Sequence, residues 1–135
     1  MRNNWAQFSP RVGFAWDPTG DGRMSLEREL REHGGRGYDL LVIDAFTSDA
    51  IPVHLLTKEA LEVYASHLRP GGVLAVHVTN SYLDLVPVVG DVAAALGRHA
   101  VNLQSPASGD GTFNADWVIV TERPDFAGQD TVEGL

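Results

Sequence analysis

The sequence predicts an α/β fold built on a mostly parallel, doubly wound sheet, and three observations carry that expectation. Unbroken apolar runs at Leu40-Leu41-Val42-Ile43 and Val73-Leu74-Ala75-Val76 suit parallel strands buried on both faces. Segments with helical spacing follow each run. Glycine and proline punctuate the joins, and the resulting order is β-α-β-α-β-α-β-β.

Arg11 to Trp16 reads as the first strand, Asp17 to Gly22 as a turn, and Ser25 to Glu32 as a short helix that Gly34-Gly35 ends. Tyr38 to Asp44 is the next strand, running straight into a carboxylate. Thr57 is an N-cap for a second helix, whose Leu61, Tyr64, Ala65 and Leu68 share one face, and Pro70-Gly71-Gly72 is its stop. Val73 to Val78 is a second buried strand, closing in Thr79-Asn80. Pro87 suits the first turn of a third helix, with Val88, Val89, Val92, Ala93 and Leu96 inward and Gly97 as the stop. Ala100 to Leu103 and Trp117 to Thr121 are the last strands, and from Pro124 the chain reads as a frayed tail.

Composition narrows the functions open to this chain. Its 135 residues fit one domain, and 44% are hydrophobic, enough for a core. The net charge of -8 speaks against a nucleic-acid partner and suits a small cationic one. Cysteine is absent, which excludes disulfides, thiolate metal sites and a cysteine nucleophile. No apolar run approaches the ~20 residues of a membrane span, and Met1 to Trp5 lacks the apolar core of a secretory signal. The expectation is a cytoplasmic protein. His33, His54, His67 and His99 show no metal-ligand spacing, so no metal is expected.

In open α/β sheets ligands bind beyond the carboxyl ends of the strands. Asp44 ends an apolar strand and is followed by the small, polar loop Ala45 to Asp49, so it should sit at the mouth of such a crevice. His77, on the next buried strand, reads as a satisfied core histidine, and Trp5, Trp16 and Trp117 as packing residues.

Several stretches resemble the spermidine synthase-like proteins, or polyamine aminopropyltransferases: Gly20 to Glu27, Tyr38 to Pro52, His54 to Thr57, and Gly71 to Asn80. The wording DAFTSDAIPVHLLT, then GGVLAVHVTNSYLDL, is most similar to bacterial members, some of them fused to transporter-like membrane segments. The resemblance implies a partial Rossmann-like sheet, the C-terminal portion of a class I methyltransferase-type fold. It implies aminopropyl transfer from decarboxylated S-adenosylmethionine to a diamine such as putrescine, within polyamine biosynthesis. By the same resemblance Asp21 and Gly22 meet the adenine, Asp44 is the catalytic carboxylate, and Asp49 holds the substrate amine. Asn80, Tyr82 and Asp84, just past the following strand, would line the same crevice.

The sequence also departs from that family. Its common form spaces two aspartates as D-x-x-D, whereas Thr47 stands in the second place here and Asp49 comes two residues later. The 19 residues before Gly20 contain no G-x-G-x-G turn for the nucleotide. They resemble instead a short barrel segment of TonB-dependent outer-membrane receptors. The expected division is therefore an atypical segment over 1–19, a synthase-like portion over 20–123 and a tail over 124–135; one reading is a truncated or composite chain with transfer impaired, the other that Val12 to Trp16 is simply the third strand of the sheet. Loss of the central strands would leave the Asp44 strand with an open edge. Two alternatives follow: an S-adenosylmethionine-dependent methyltransferase, or a non-catalytic α/β module that pairs through that edge with another chain or with a second copy of itself.

Overall fold

The computed structural model of the protein describes residues 11–16, 22–44, 53–80, 82–105 and 114–128. Strand β1 (Val12–Trp16), helix α1 (Gly22–His33), β2 (Tyr38–Asp44), α2 (Lys58–Ser66), β3 (Leu68–His77), α3 (Val86–Ala95), β4 (His99–Ser105) and β5 (Ala115–Thr121) follow in the expected order. Local chemistry sets several boundaries. The Ala60 backbone N–H donates to Thr57 Oγ1 at 3.2 Å, which caps α2. Gly34 and Gly97, with φ of 74° and 69°, take the left-handed conformation that ends α1 and α3. Short 3-10 turns cover Val53–Leu55 and Pro124–Gly128, the latter where a frayed tail was expected.

The five strands form one mixed sheet in the order β1-β2-β3-β5-β4. β1, β2 and β3 are parallel, while β5 runs antiparallel to both β3 and β4. Each helical crossover therefore steps the chain in the same direction across the sheet. Right-handed crossovers that all step one way put their helices on one face. That face carries Leu41 and Ile43 of β2, Leu74 and Val76 of β3, and Val118 and Val120 of β5, all buried. Ala60, Leu61 and Tyr64 of α2 and Val89 and Ala93 of α3 close over it, with Leu26 of α1 packed alongside. Full burial of each such leucine or valine is worth about 1.5–3 kcal/mol. This is one helical layer of a doubly wound sheet; the other would need strands beyond β1, and none is among the described residues.

Three local expectations are corrected. Pro70-Gly71-Gly72 does not stop α2, which already ends at Ser66 with His67 as C-cap; it lies inside β3, along with Leu68. The β2–β3 register shifts between Tyr38 and Leu40 opposite this segment, and a bulge is where a sheet tolerates proline. Val88 does not point inward, being 43% exposed, because Val89 and Ala93 define the buried stripe of α3. The Asp44 strand is not an edge either: β1 pairs along it from Val12↔Leu40 to Trp16↔Asp44. Among the described residues the outermost strand on that side is β1.

A polar clamp fixes that pairing at the opposite end of the strands. The Arg11 backbone N–H donates to Asp39 Oδ2 at 2.8 Å, the Arg11 guanidinium donates to the Arg36 carbonyl, and Arg69 of β3 pairs with Asp39. His67 is buried beneath α1, where its Nε2 meets the Leu26 carbonyl at 2.9 Å.

Candidate functional site

Asp44 and His77 end adjacent parallel strands. Because Ile43 and Val76 are register partners, the next residues of β2 and β3 fall side by side on the same face of the sheet. Asp44 Oδ1 lies 2.9 Å from His77 Nδ1. On the other side of the imidazole, β5 brings Trp117 opposite His77, and the two rings stack with centroids 4.7 Å apart and planes 28° apart. The Asp44 side chain is 30% exposed and that of His77 is 20% exposed, so the pair is neither sealed in the core nor free in water. A partly buried carboxylate and imidazole in contact, walled by an indole at the carboxyl end of parallel strands, can orient a cation and move a proton.

The chain past β3 builds a concavity on the helix-covered side of the sheet. Asn80, Tyr82, Asp84, Asn102, Gln104 and Asp116 line a cavity of about 410 Å³ there. Asn102 and Asp116 occupy the same-face positions as buried Val118, whereas Asp44 and His77 belong to the opposite face. Asn80 and Asp84 also shape their own loop. The Tyr82 and Leu83 N–H groups donate to Asn80 Oδ1 at 2.8 and 3.0 Å, and the Val86 N–H donates to Asp84 Oδ1 at 3.1 Å where α3 begins. Tyr82 is 71% exposed. The structure thus groups Asn80, Tyr82 and Asp84 with one another, and Asp44 with His77 and Trp117; Asp44 is not in the lining of that cavity.

Asp21 and Asp49 lie outside the described residues, and Gly22 opens α1. Among the described residues no group of three metal-ligating side chains converges. The contact between His77 and Asp44 is what residue-by-residue reading missed. A signal for it existed: each of the runs Leu40 to Asp44 and Val73 to His77 has four apolar residues and then a polar one. Pairing the runs in parallel juxtaposes their last members.

The sheet, its crossovers and the carboxylate at the strand ends define part of a class I methyltransferase-like fold. Solved structures that share it include two spermidine synthases. A spermidine synthase in complex with the transition-state analogue AdoDATO superimposes with a TM-score of 0.51 at 12% identity, covering 82% of this chain and 46% of that one. The spermidine synthase from Thermotoga maritima gives 0.50 at 12% identity, covering 84% of this chain and 54% of that one. In sequence, the chain is a distant homologue of the polyamine aminopropyltransferase of Vibrio vulnificus (strain CMCP6), 38% identical over 64 residues. That match takes in 47% of this chain and 20% of the relative, so the chain corresponds to a minor part of the curated protein and about half of each solved synthase. No protein-family model matches it.

Proposed function

We propose that this chain carries the acceptor-side chemistry of an aminopropyltransferase. In that reaction a diamine nitrogen attacks the propyl carbon of decarboxylated S-adenosylmethionine, the carbon–sulfur bond breaks, and its electron pair leaves with neutral methylthioadenosine. The amine must be held and must lose a proton. Asp44 is the group for this task, since a carboxylate orients the ammonium and stabilises positive charge developing on nitrogen. The single observation that supports the reading most is the position of Asp44, partly exposed at the carboxyl end of β2. Homology to an aminopropyltransferase adds to it.

In this reading Asp49 holds the substrate amine beside Asp44, Asp21 and Gly22 meet the adenine, and Asn80, Tyr82 and Asp84 serve substrate binding only from their separate cavity on the helix-covered face. An acidic chain, with a net charge of -8, draws a small cationic amine and repels nucleic acid. Among the described residues no helix is long and apolar enough to cross a membrane; a cytoplasmic setting and self-association belong to the same proposal. Methyl transfer from S-adenosylmethionine is the second reading, because the fold serves both sulfonium donors. Product analysis with putrescine and each donor separates them. Calorimetry with methylthioadenosine tests the nucleoside side: micromolar binding supports the transferase reading. Undetectable binding together with no product would leave the non-catalytic module, pairing through β1.

A further inference from the structure

We propose that the cavity on the helix-covered face is a second amine site, separate from Asp44, which takes a linear diamine or polyamine whose ammonium groups meet the carboxylates of Asp84 and Asp116. This goes beyond the transferase reading, because binding there needs neither a sulfonium donor nor turnover. Asp116 projects from the face that carries Val118 and Asp44 from the opposite one, so the sheet separates the two carboxylates. Along β5 the helix-facing positions are Asp116, Val118 and Val120, and along β4 they are Ala100, Asn102 and Gln104. Both valines are buried, and the face turns polar only at the carboxyl end of β3. The Asp116 backbone is fixed there on both sides: its N–H donates to Thr79 Oγ1 at 2.7 Å, and its carbonyl accepts from the Val78 N–H at 2.9 Å. Its carboxylate and the Asn102 and Gln104 amides have no hydrogen-bond or ion-pair partner among the described residues. Asp84 commits only Oδ1, to the Val86 N–H.

The lining sets the class of ligand. Among its described residues are two carboxylates, three amides and a phenol, with no lysine, arginine or histidine. An anion is repelled there, and a cation relieves the repulsion between the two carboxylates. No group of three metal-ligating side chains converges among the described residues, which favours an ammonium over a hard metal ion. The Asn102 and Gln104 carbonyls can accept from the remaining ammonium N–H groups, and Tyr82 supplies an aromatic ring at the exposed rim. Val78 and Leu85, both buried, line the same cavity and give the methylenes between ammonium groups an apolar surface. Its volume of about 410 Å³ lies within the range of small-molecule sites, roughly 300–1,000 Å³.

Proton–nitrogen NMR of the full chain, titrated with putrescine in the absence of any donor, reads the site through the side-chain amide signals of Asn102 and Gln104. Both should shift and saturate, while 1,4-butanediol, the uncharged analogue, should leave them in place. Asp84→Asn combined with Asp116→Asn keeps side-chain shape and the acceptor for Val86. It should weaken the fitted Kd by about tenfold or more, the scale of a lost hydrogen bond to a charged group. Gln104→Leu, at an exposed strand position, should weaken binding in the same direction, read at Asn102. Asp44→Asn should change the Kd by less than about threefold, as expected of a distant, independent site. Signals that putrescine leaves in place, that butanediol shifts equally, or that stop responding in Asp44→Asn each overturn the proposal. Aminopropyl transfer with unmoved Asn102 and Gln104 signals removes this site and leaves the transferase reading standing. Saturable shifts in a chain that transfers nothing do the reverse.

Discussion

The Tyr64 hydroxyl donates to the Leu55 carbonyl at 3.2 Å inside the core. That bond ties the middle of α2 to the 3-10 turn through which the chain returns after the Asp44 loop. Leu55 and Leu56 are buried beside it, so the return is anchored by both packing and a hydrogen bond. Tyr64→Phe leaves a buried carbonyl without this donor at nearly constant volume. It should cost about 1–3 kcal/mol, read as a lower urea midpoint with an unchanged slope. Thr57→Ala, which removes the cap of the same helix, should cost about 1 kcal/mol.

Asp39 makes the β1–β2–β3 clamp sensitive to acid. The hydrogen bond from the Arg11 backbone N–H, chiefly, and the Arg69 guanidinium hold its carboxyl below the usual carboxylate range, against an opposing effect of burial. A folded-state pKa below the unfolded one means that the stabilisation is complete above the unfolded value, about 3.9. It is lost as pH falls through the folded value. Urea midpoints of wild type and Asp39→Asn measured from pH 7 to pH 2 should therefore differ most at neutral pH and converge in strong acid. A constant gap across that range would show that the carboxylate charge is not what secures β1.

Gly72 should not tolerate a side chain. A Cβ there would stand 2.8 Å from the Tyr38 carbonyl oxygen and 2.9 Å from that of Arg69, both backbone atoms at the register shift of β2 and β3. Gly72→Ala is expected to destabilise by about 1–3 kcal/mol, the usual cost of overpacking. Gly71→Ala has room but forces a φ of 74° on alanine, at about 1–2 kcal/mol. Thermal unfolding of the two variants checks both, and hydrogen exchange should localise the loss to Leu68–His77.

Asp44→Asn separates catalysis from association. Transfer to a diamine should drop by about 10²–10⁴-fold, the range of a lost acid–base group, while any association through β1 should be unchanged. Activity within threefold of wild type would remove Asp44 from the chemistry. Trp117→Phe, which keeps an aromatic face against His77, should lower the rate far less than Trp117→Ala.

Much of the fold was legible in one dimension. The apolar runs at Leu40 to Ile43 and Val73 to Val76, the Thr57 cap and the Gly34 and Gly97 stops are local signals, set by side-chain period and backbone sterics over a few residues. They determined which elements form and in what order. Periodicity did not reveal that Leu68 leaves its helical face for β3, because pairing with Tyr38 outweighs helical spacing there. Nor did it reveal how the candidate site residues divide. Asn80, Tyr82 and Asp84 read as neighbours of Asp44, yet their cavity lies on the helix-covered face while Asp44 projects from the other. The contact of Asp44 with His77 spans 33 positions of chain and exists only because β2 and β3 pair in one register out of several. Strand order, register and the face each crossover takes are properties of hydrogen bonding and packing between distant segments, and these the tertiary structure alone decided.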